Sequence, residues 1–115
     1  CGHGQRGMSR EVTILDAAKP DFRQVRAYVK AQFGDMVWAE VNLEFKAMVM
    51  TIGLNPQAGK QIEELADLGQ KNFRFRLVRQ TKIVYEYGDE EVLVHMFIHA
   101  KQDFRTHLMK RLLDA

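Results

Sequence analysis

A chain of 115 residues holds one domain, and its 46% hydrophobic content allows a buried core. The 28% of charged residues exclude a disordered reading, and a net charge of +2 is too mild to argue nucleic-acid binding from totals, so a basic site must come from local clustering. The only cysteine, Cys1, rules out an internal disulfide, no apolar run approaches the roughly 18 residues of a membrane span, and no secretory signal pattern is visible, so a cytoplasmic protein is expected.

The first seven residues, Cys1 to Gly7, are Gly-rich and aperiodic. They read as a tag remnant ahead of a native start at Met8, which leaves residues 8–115 as a single domain. Cys1 and His3 form a metal pair only on paper, since two ligands are too few for a structural site. No metal or cofactor is expected.

Glu11 to Leu15, with Val12 and Ile14 alternating against Thr13, predicts a short strand. Pro20 suits a first helical turn, where its missing N–H is not needed. Phe22, Val25, Val29 and Phe33 then recur at helical spacing, with Arg23, Arg26 and Lys30 interleaved. Gly34 caps this helix and Asp35 can open the next. Val37, Val41, Phe45, Met48 and Ile52 continue the spacing until Asn55-Pro56 stops it. The tight Gly34-Asp35 link predicts an antiparallel helical hairpin. Gln57 to Gln70 reads as irregular.

Phe73, Phe75 and Leu77 alternate with Arg74 and Arg76, and Ile83, Tyr85 and Tyr87 alternate with Lys82 and Glu86. A three-residue loop at Arg79 to Thr81 would oppose Phe73 to Tyr87, Phe75 to Tyr85 and Leu77 to Ile83, with Arg74 beside Glu86. A two-residue loop at Asp89-Glu90 would oppose Tyr87 to Val92, Tyr85 to Val94 and Ile83 to Met96. It would also set Val84 beside His95 and Lys82 beside Phe97. The nearly continuous apolar run Val92 to Ile98 suits a central strand. From Asp103, the stripe Phe104, Leu108, Leu112 and Leu113 predicts a last amphipathic helix. The expected fold is α+β: a helical hairpin packed on a mostly antiparallel four-stranded sheet, in the order β-α-α-β-β-β-α.

Several segments, in this order, resemble the ParE/RelE toxin superfamily over roughly Val12 to Leu113. Ala17 to Tyr28, with Asp21-Phe22 and Tyr28-Val29, is similar to the family's first helix. Leu54-Asn55-Pro56-Gln57-Ala58-Gly59 followed by Glu64-Leu65 is similar to its Leu-x-x-Pro-x-x-Gly bend. Phe73-Arg74-Phe75-Arg76 and Lys82-Ile83-Val84-Tyr85 resemble its Arg-bearing and Tyr-bearing strands. His99-Ala100-Lys101-Gln102-Asp103 resembles the His-x-Arg-Arg-Asp ending of ParE-like members.

The resemblance implies the toxin of a toxin–antitoxin pair, neutralised by a small cognate antitoxin. ParE-like members are associated with poisoning DNA gyrase; RelE-like members cut mRNA in the ribosome. The ParE-like ending favours gyrase as partner and no catalytic residue in the chain itself. The alternatives are a ribosome-dependent endoribonuclease, or an inactivated member that only binds its antitoxin.

RelE-like enzymes gather cations on an open sheet face. Here that face would carry Arg74, Arg76, Lys82 and His95, with Lys101 and His107 near its edge. Lys82 stands where many members have Arg and lacks the planar fork that grips a phosphate at two points. No tyrosine follows Tyr87, so the usual late Tyr is missing.

A nuclease would rest on Arg76, Lys82, Lys101 and His107. Partner binding would rest on Trp38, Arg74, Arg76, Lys82 and Phe104. Against these, Arg74 and Glu86 make an ordinary surface pair and His95 a hydrogen-bonded core histidine. His95 and His99 alternate onto one face, too few for a zinc site. Met36, Met48, Met50, Met96 and Met109 suit core filling.

Overall fold

A computed structural model describes residues 10–62 and 72–99. The expected last helix, with Lys101, Phe104 and His107, lies outside them, as do Cys1 and His3.

Strand β1 (Glu11–Ile14) leads through a short 3-10 turn into helix α1 (Lys19–Phe33). Pro20 falls in the first turn of α1, where it sacrifices no hydrogen bond. Gly34 then takes φ 95°, a left-handed conformation that glycine adopts without steric cost, and the chain reverses into α2 (Asp35–Leu54). Asn55-Pro56 ends α2, and a 3-10 turn at Pro56–Ala58 follows. Then come β2 (Lys60–Gln61), β3 (Phe73–Val78), β4 (Thr81–Tyr87) and β5 (Glu91–His99).

The fold is α+β: two helices pack on one mixed sheet in the order β1-β5-β4-β3-β2. Among the described residues the sheet has five strands rather than four, because two residues of the supposedly irregular segment, Lys60 and Gln61, pair with Phe75 and Arg74. β1 runs parallel to β5, with Val12 opposite Val92 and Ile14 opposite Val94; the other pairings are antiparallel.

One core lies between the hairpin and the sheet. Phe22 is its hub, with ring centroids 5.6 Å from Trp38, 5.3 Å from Phe45 and 5.2 Å from Phe97, all tilted or edge-on. Ile52, Ile83, Tyr85, Val92 and Val94 complete it. A second cluster on the opposite face joins Ile62, Phe73, Val84, Met96 and Ile98, all at most 6% exposed.

Two register details depart from expectation. The β3–β4 turn has two residues, Arg79 and Gln80, because Val78 pairs with Thr81. Phe73 therefore opposes Glu86, Phe75 opposes Val84 and Leu77 opposes Lys82. A one-residue slip moves a strand's whole side-chain set to the other face. Phe73 and Phe75 thus join the second cluster, while Arg74 and Arg76 share the hairpin face with Tyr85 and Ile83. Arg74 does not sit across from Glu86.

In the β4–β5 pair, Tyr87–Val92 and Tyr85–Val94 stand as expected. A bulge then intervenes, so Val84 meets Met96, Ile83 meets Phe97 and Lys82 meets Ile98. The bulge brings Phe97 to the aromatic hub and sends Met96 and Ile98 to the second cluster. It also parts His95 from His99, which do not share a face.

Candidate functional site

One concavity among the described residues is a groove of about 600 Å³. Val25, Val29 and Phe33 of α1 and Val37 and Val41 of α2 supply its apolar lining; the β3–β4 turn and Phe97 supply the sheet side. Tyr28 and Phe33, 56% and 62% exposed, stand on its α1 side. A concave, mostly apolar surface with a few polar groups at its edge is the usual form of a binding site.

The polar groups are held in place. Asp21 Oδ2 accepts a hydrogen bond from the Phe97 amide at 3.4 Å. His99 Nε2 lies 3.0 Å from Gln80 Oε1, which ties the end of β5 to the β3–β4 turn. Arg79 stands at φ 55°, a left-handed conformation uncommon for a residue with a Cβ. From there its Nε and Nη2 donate to the two Glu44 carboxylate oxygens at 3.0 and 2.8 Å, and Glu40 lies 3.7 Å from Nη2. This fork holds the turn against α2 and so fixes one wall of the groove. The hydrogen bond from Arg79 keeps the Glu44 carboxyl below its ordinary pKa, and Glu44 in turn raises that of Arg79.

The predicted cations do not converge. Arg74 is engaged in the fold: Nη1 donates to the Gly59 carbonyl at 3.2 Å, and its guanidinium carbon lies 5.8 Å from the Tyr87 ring centre. Its buried Nε has no hydrogen-bond partner among the described residues. Arg76 neighbours Tyr85 on the hairpin face. Tyr85 is buried and donates its phenol proton to the Pro56 carbonyl; burial raises its pKa, partly offset by Arg76 and Arg74.

Lys82 and His95 lie on the other face. The Lys82 ammonium sits 4.8 Å from the Phe75 ring centre. His95 Nε2 is 3.1 Å from Glu86 Oε1, and its ring centre is 5.0 Å from that of Phe73. The expected single face of Arg74, Arg76, Lys82 and His95 is therefore divided in two by the β3 register. The second face is not open around them either, because Val84, Met96 and Ile98 are buried there.

Trp38 is 8% exposed and packs in the aromatic hub, so it is a core residue rather than a surface anchor. Lys101, His107 and Phe104 lie outside the described residues.

The groove rests on residues that the sequence does not assign to a site: Tyr28, Arg79, Gln80 and the polar side of Asp21. A signal existed for Tyr28, an aromatic standing off the apolar stripe of α1. None existed for Arg79 and Gln80, whose place depends on the turn length. No protein-family model matches the chain, and no curated protein matches its sequence. Among the described residues there is no cluster of three or more metal-ligating side chains, and no helix is long and apolar enough to cross a membrane.

Proposed function

We propose that the chain is the toxin half of a ParE-like toxin–antitoxin pair, a poison of DNA gyrase that acts by binding, and that its antitoxin docks in the hairpin groove. The observation that carries this reading is the groove itself, an apolar concavity with exposed Tyr28 and Phe33 beside it. An amphipathic segment of an antitoxin suits such a surface, laying apolar anchors between α1, α2 and the end of β5. His99, the first residue of the stretch that resembles the ending of ParE-like members, lines this groove.

Binding is favoured over RNA cleavage because the cations diverge. Cleavage by 2′-OH attack needs an acid, a base and converging positive charge around the phosphorane. Arg74 is held by Gly59 and Tyr87, and Lys82 is on the opposite face from Arg76. One observation favours a RelE-like nuclease as the second reading. The Glu86 carboxylate orients the His95 imidazole at a β-bulge, a place where active-site groups are often re-aimed.

Expression of the full chain with and without a candidate antitoxin, followed by two purified assays, tests the proposal. Growth should stop without the antitoxin and resume with it. Cleaved DNA should accumulate with purified gyrase while ribosome-bound mRNA stays whole. Ribosome-dependent cuts that vanish in Lys82→Ala or His95→Ala, with no effect on gyrase, would reverse the ranking. Normal growth despite soluble expression would leave only the inactivated, antitoxin-binding reading.

A further inference from the structure

The groove occupies one flank of α1; the other flank carries a second feature. Lys19, Arg23, Arg26 and Lys30 follow one another at spacings of four, three and four residues, and all four are exposed. At 100° per residue they fall within about 60° of arc, and at 1.5 Å per residue they span about 16 Å. The single acid of α1, Asp21, stands across the helix from them, directed to the Phe97 amide. Lys19 meets Asp16 at 3.1 Å, a pair in which both side chains are more than half exposed. Arg23, Arg26 and Lys30 have no ion-pair partner among the described residues. Four cations in a row repel one another by as much as a few tenths of a kcal/mol per neighbouring pair, which a polyanion would reverse.

We propose that this flank of α1 is a docking surface for the phosphate backbone of duplex DNA, contacted without regard to sequence. At about 3.4 Å of duplex axis per phosphate of one strand, the stripe's length offers each of the four cations a phosphate to neutralise. The residues beside it on the outward side of α1 are Pro20, Ala27 and Ala31, all exposed and compact, so no long side chain holds the helix away from a groove. Single-stranded binders add aromatic stacking platforms to their cations. Here the exposed aromatics of α1, Tyr28 and Phe33, line the hairpin groove instead. The major groove of B-form DNA admits a helix, whereas that of A-form RNA is too narrow. The net charge of +2 conceals this surface because acids elsewhere balance it.

The inference does not rest on the toxin reading, and its test involves neither gyrase nor growth. Binding of the full chain to a fluorescent duplex is measured by anisotropy across a salt series. The affinity should fall with a log–log slope of about −3, the value for three to four released counterions. Joint substitution Arg23→Gln, Arg26→Gln and Lys30→Gln should weaken binding at low salt on the order of tenfold or more and flatten the slope. Circular dichroism and melting should be unchanged in this variant, because the sites are exposed. Lys46→Gln, an exposed cation of α2, should leave binding as it was. Absence of saturable duplex binding, or binding indifferent to the triple substitution, would overturn the proposal. So would tighter binding to duplex RNA, phosphatidylserine vesicles or polyglutamate than to DNA.

Discussion

The two faces of the sheet are built from the same strands but hold together differently. The hairpin face buries a hub of four aromatic rings, Phe22, Trp38, Phe45 and Phe97, contributed by three separate elements. The opposite face buries a smaller group, Ile62, Phe73, Val84, Met96 and Ile98, and mixes charge with it at Lys82, Glu86 and His95. The first face joins distant parts of the chain into one body. The second records which residue of β3 faces which residue of β4. A change on the first face tests the fold, and a change on the second tests the register.

The largest effect is expected at the hub. Phe45 is 2% exposed and touches both Phe22 and Phe97, so Phe45→Ala removes a ring that links α2 to α1 and to β5. Truncating a buried phenylalanine costs about 3–5 kcal/mol. Denaturant unfolding should show this as a lower midpoint. A loss below about 1 kcal/mol, the range of surface substitutions and mild repacking, would mean that the hub is not the mechanical centre of the domain.

Much of the hairpin face was legible in the sequence. Phe22, Val25, Val29, Val41, Phe45 and Ile52 repeat at helical spacing, and Gly34 and Asn55-Pro56 mark where the helices end. The strand registers were less legible for a physical reason. Hydrophobic alternation chooses a register when one face is wet. Here both faces are apolar, and β4 offers Val84 to one side and Ile83 and Tyr85 to the other. Alternation alone therefore left β3 free to slip by one residue. Turn length decided it, and the left-handed backbone at Arg79 that permits the short turn has no sequence signature of the Gly or Asn kind. The candidate site follows the register: the one-residue slip sets Arg74 and Arg76 on the face away from Lys82.

A somewhat smaller loss is expected where β2 closes the sheet. A Cβ at Gly59 would run into the Tyr85 hydroxyl and crowd the Phe75 carbonyl. Tyr85 cannot retreat, since it is buried and hydrogen-bonded to Pro56. Gly59→Ala should cost about 1–3 kcal/mol, the range for overpacking a tight site. Tyr85→Phe/Gly59→Ala should recover part of that loss, because the clashing oxygen is gone. Thermal melting of both variants checks this, and equal midpoints would place the clash elsewhere.

The register itself can be trapped. Leu77 and Lys82 stand directly opposite each other in the ladder, next to the turn-closing pair Val78 and Thr81. In a chain with Cys1→Ser, Leu77→Cys and Lys82→Cys should oxidise to a disulfide under air. The alternative pairing, Leu77→Cys with Ile83→Cys, should not, because those side chains point to opposite faces. Free-thiol titration distinguishes the two. Oxidation of the second pair alone would restore the three-residue loop and bring Arg76 back to the face of Lys82. The stabilisation from so short a disulfide loop should be modest, since loop-closure entropy grows with loop length.

The smallest effect is expected at the fork that holds the β3–β4 turn to α2. Arg79 and Glu44 form a two-point ion pair, but both side chains are nearly half exposed, so solvent and salt screen it. Its sign with pH follows from Glu44, whose folded pKa lies below the ordinary 4.5 because Arg79 donates to the carboxylate. A lowered folded pKa stabilises the native state above the unfolded value, and that contribution disappears as pH falls through the folded one. Glu44→Gln should therefore melt slightly below the parent chain at neutral pH and low salt. The gap should narrow below about pH 4.5 and close once Glu44 is protonated in the folded state too. It should also shrink in concentrated salt at neutral pH. A gap that survives both acid and salt would assign Glu44 a packing role and leave the turn, with its wall of the groove, held by Gln80 and His99 instead.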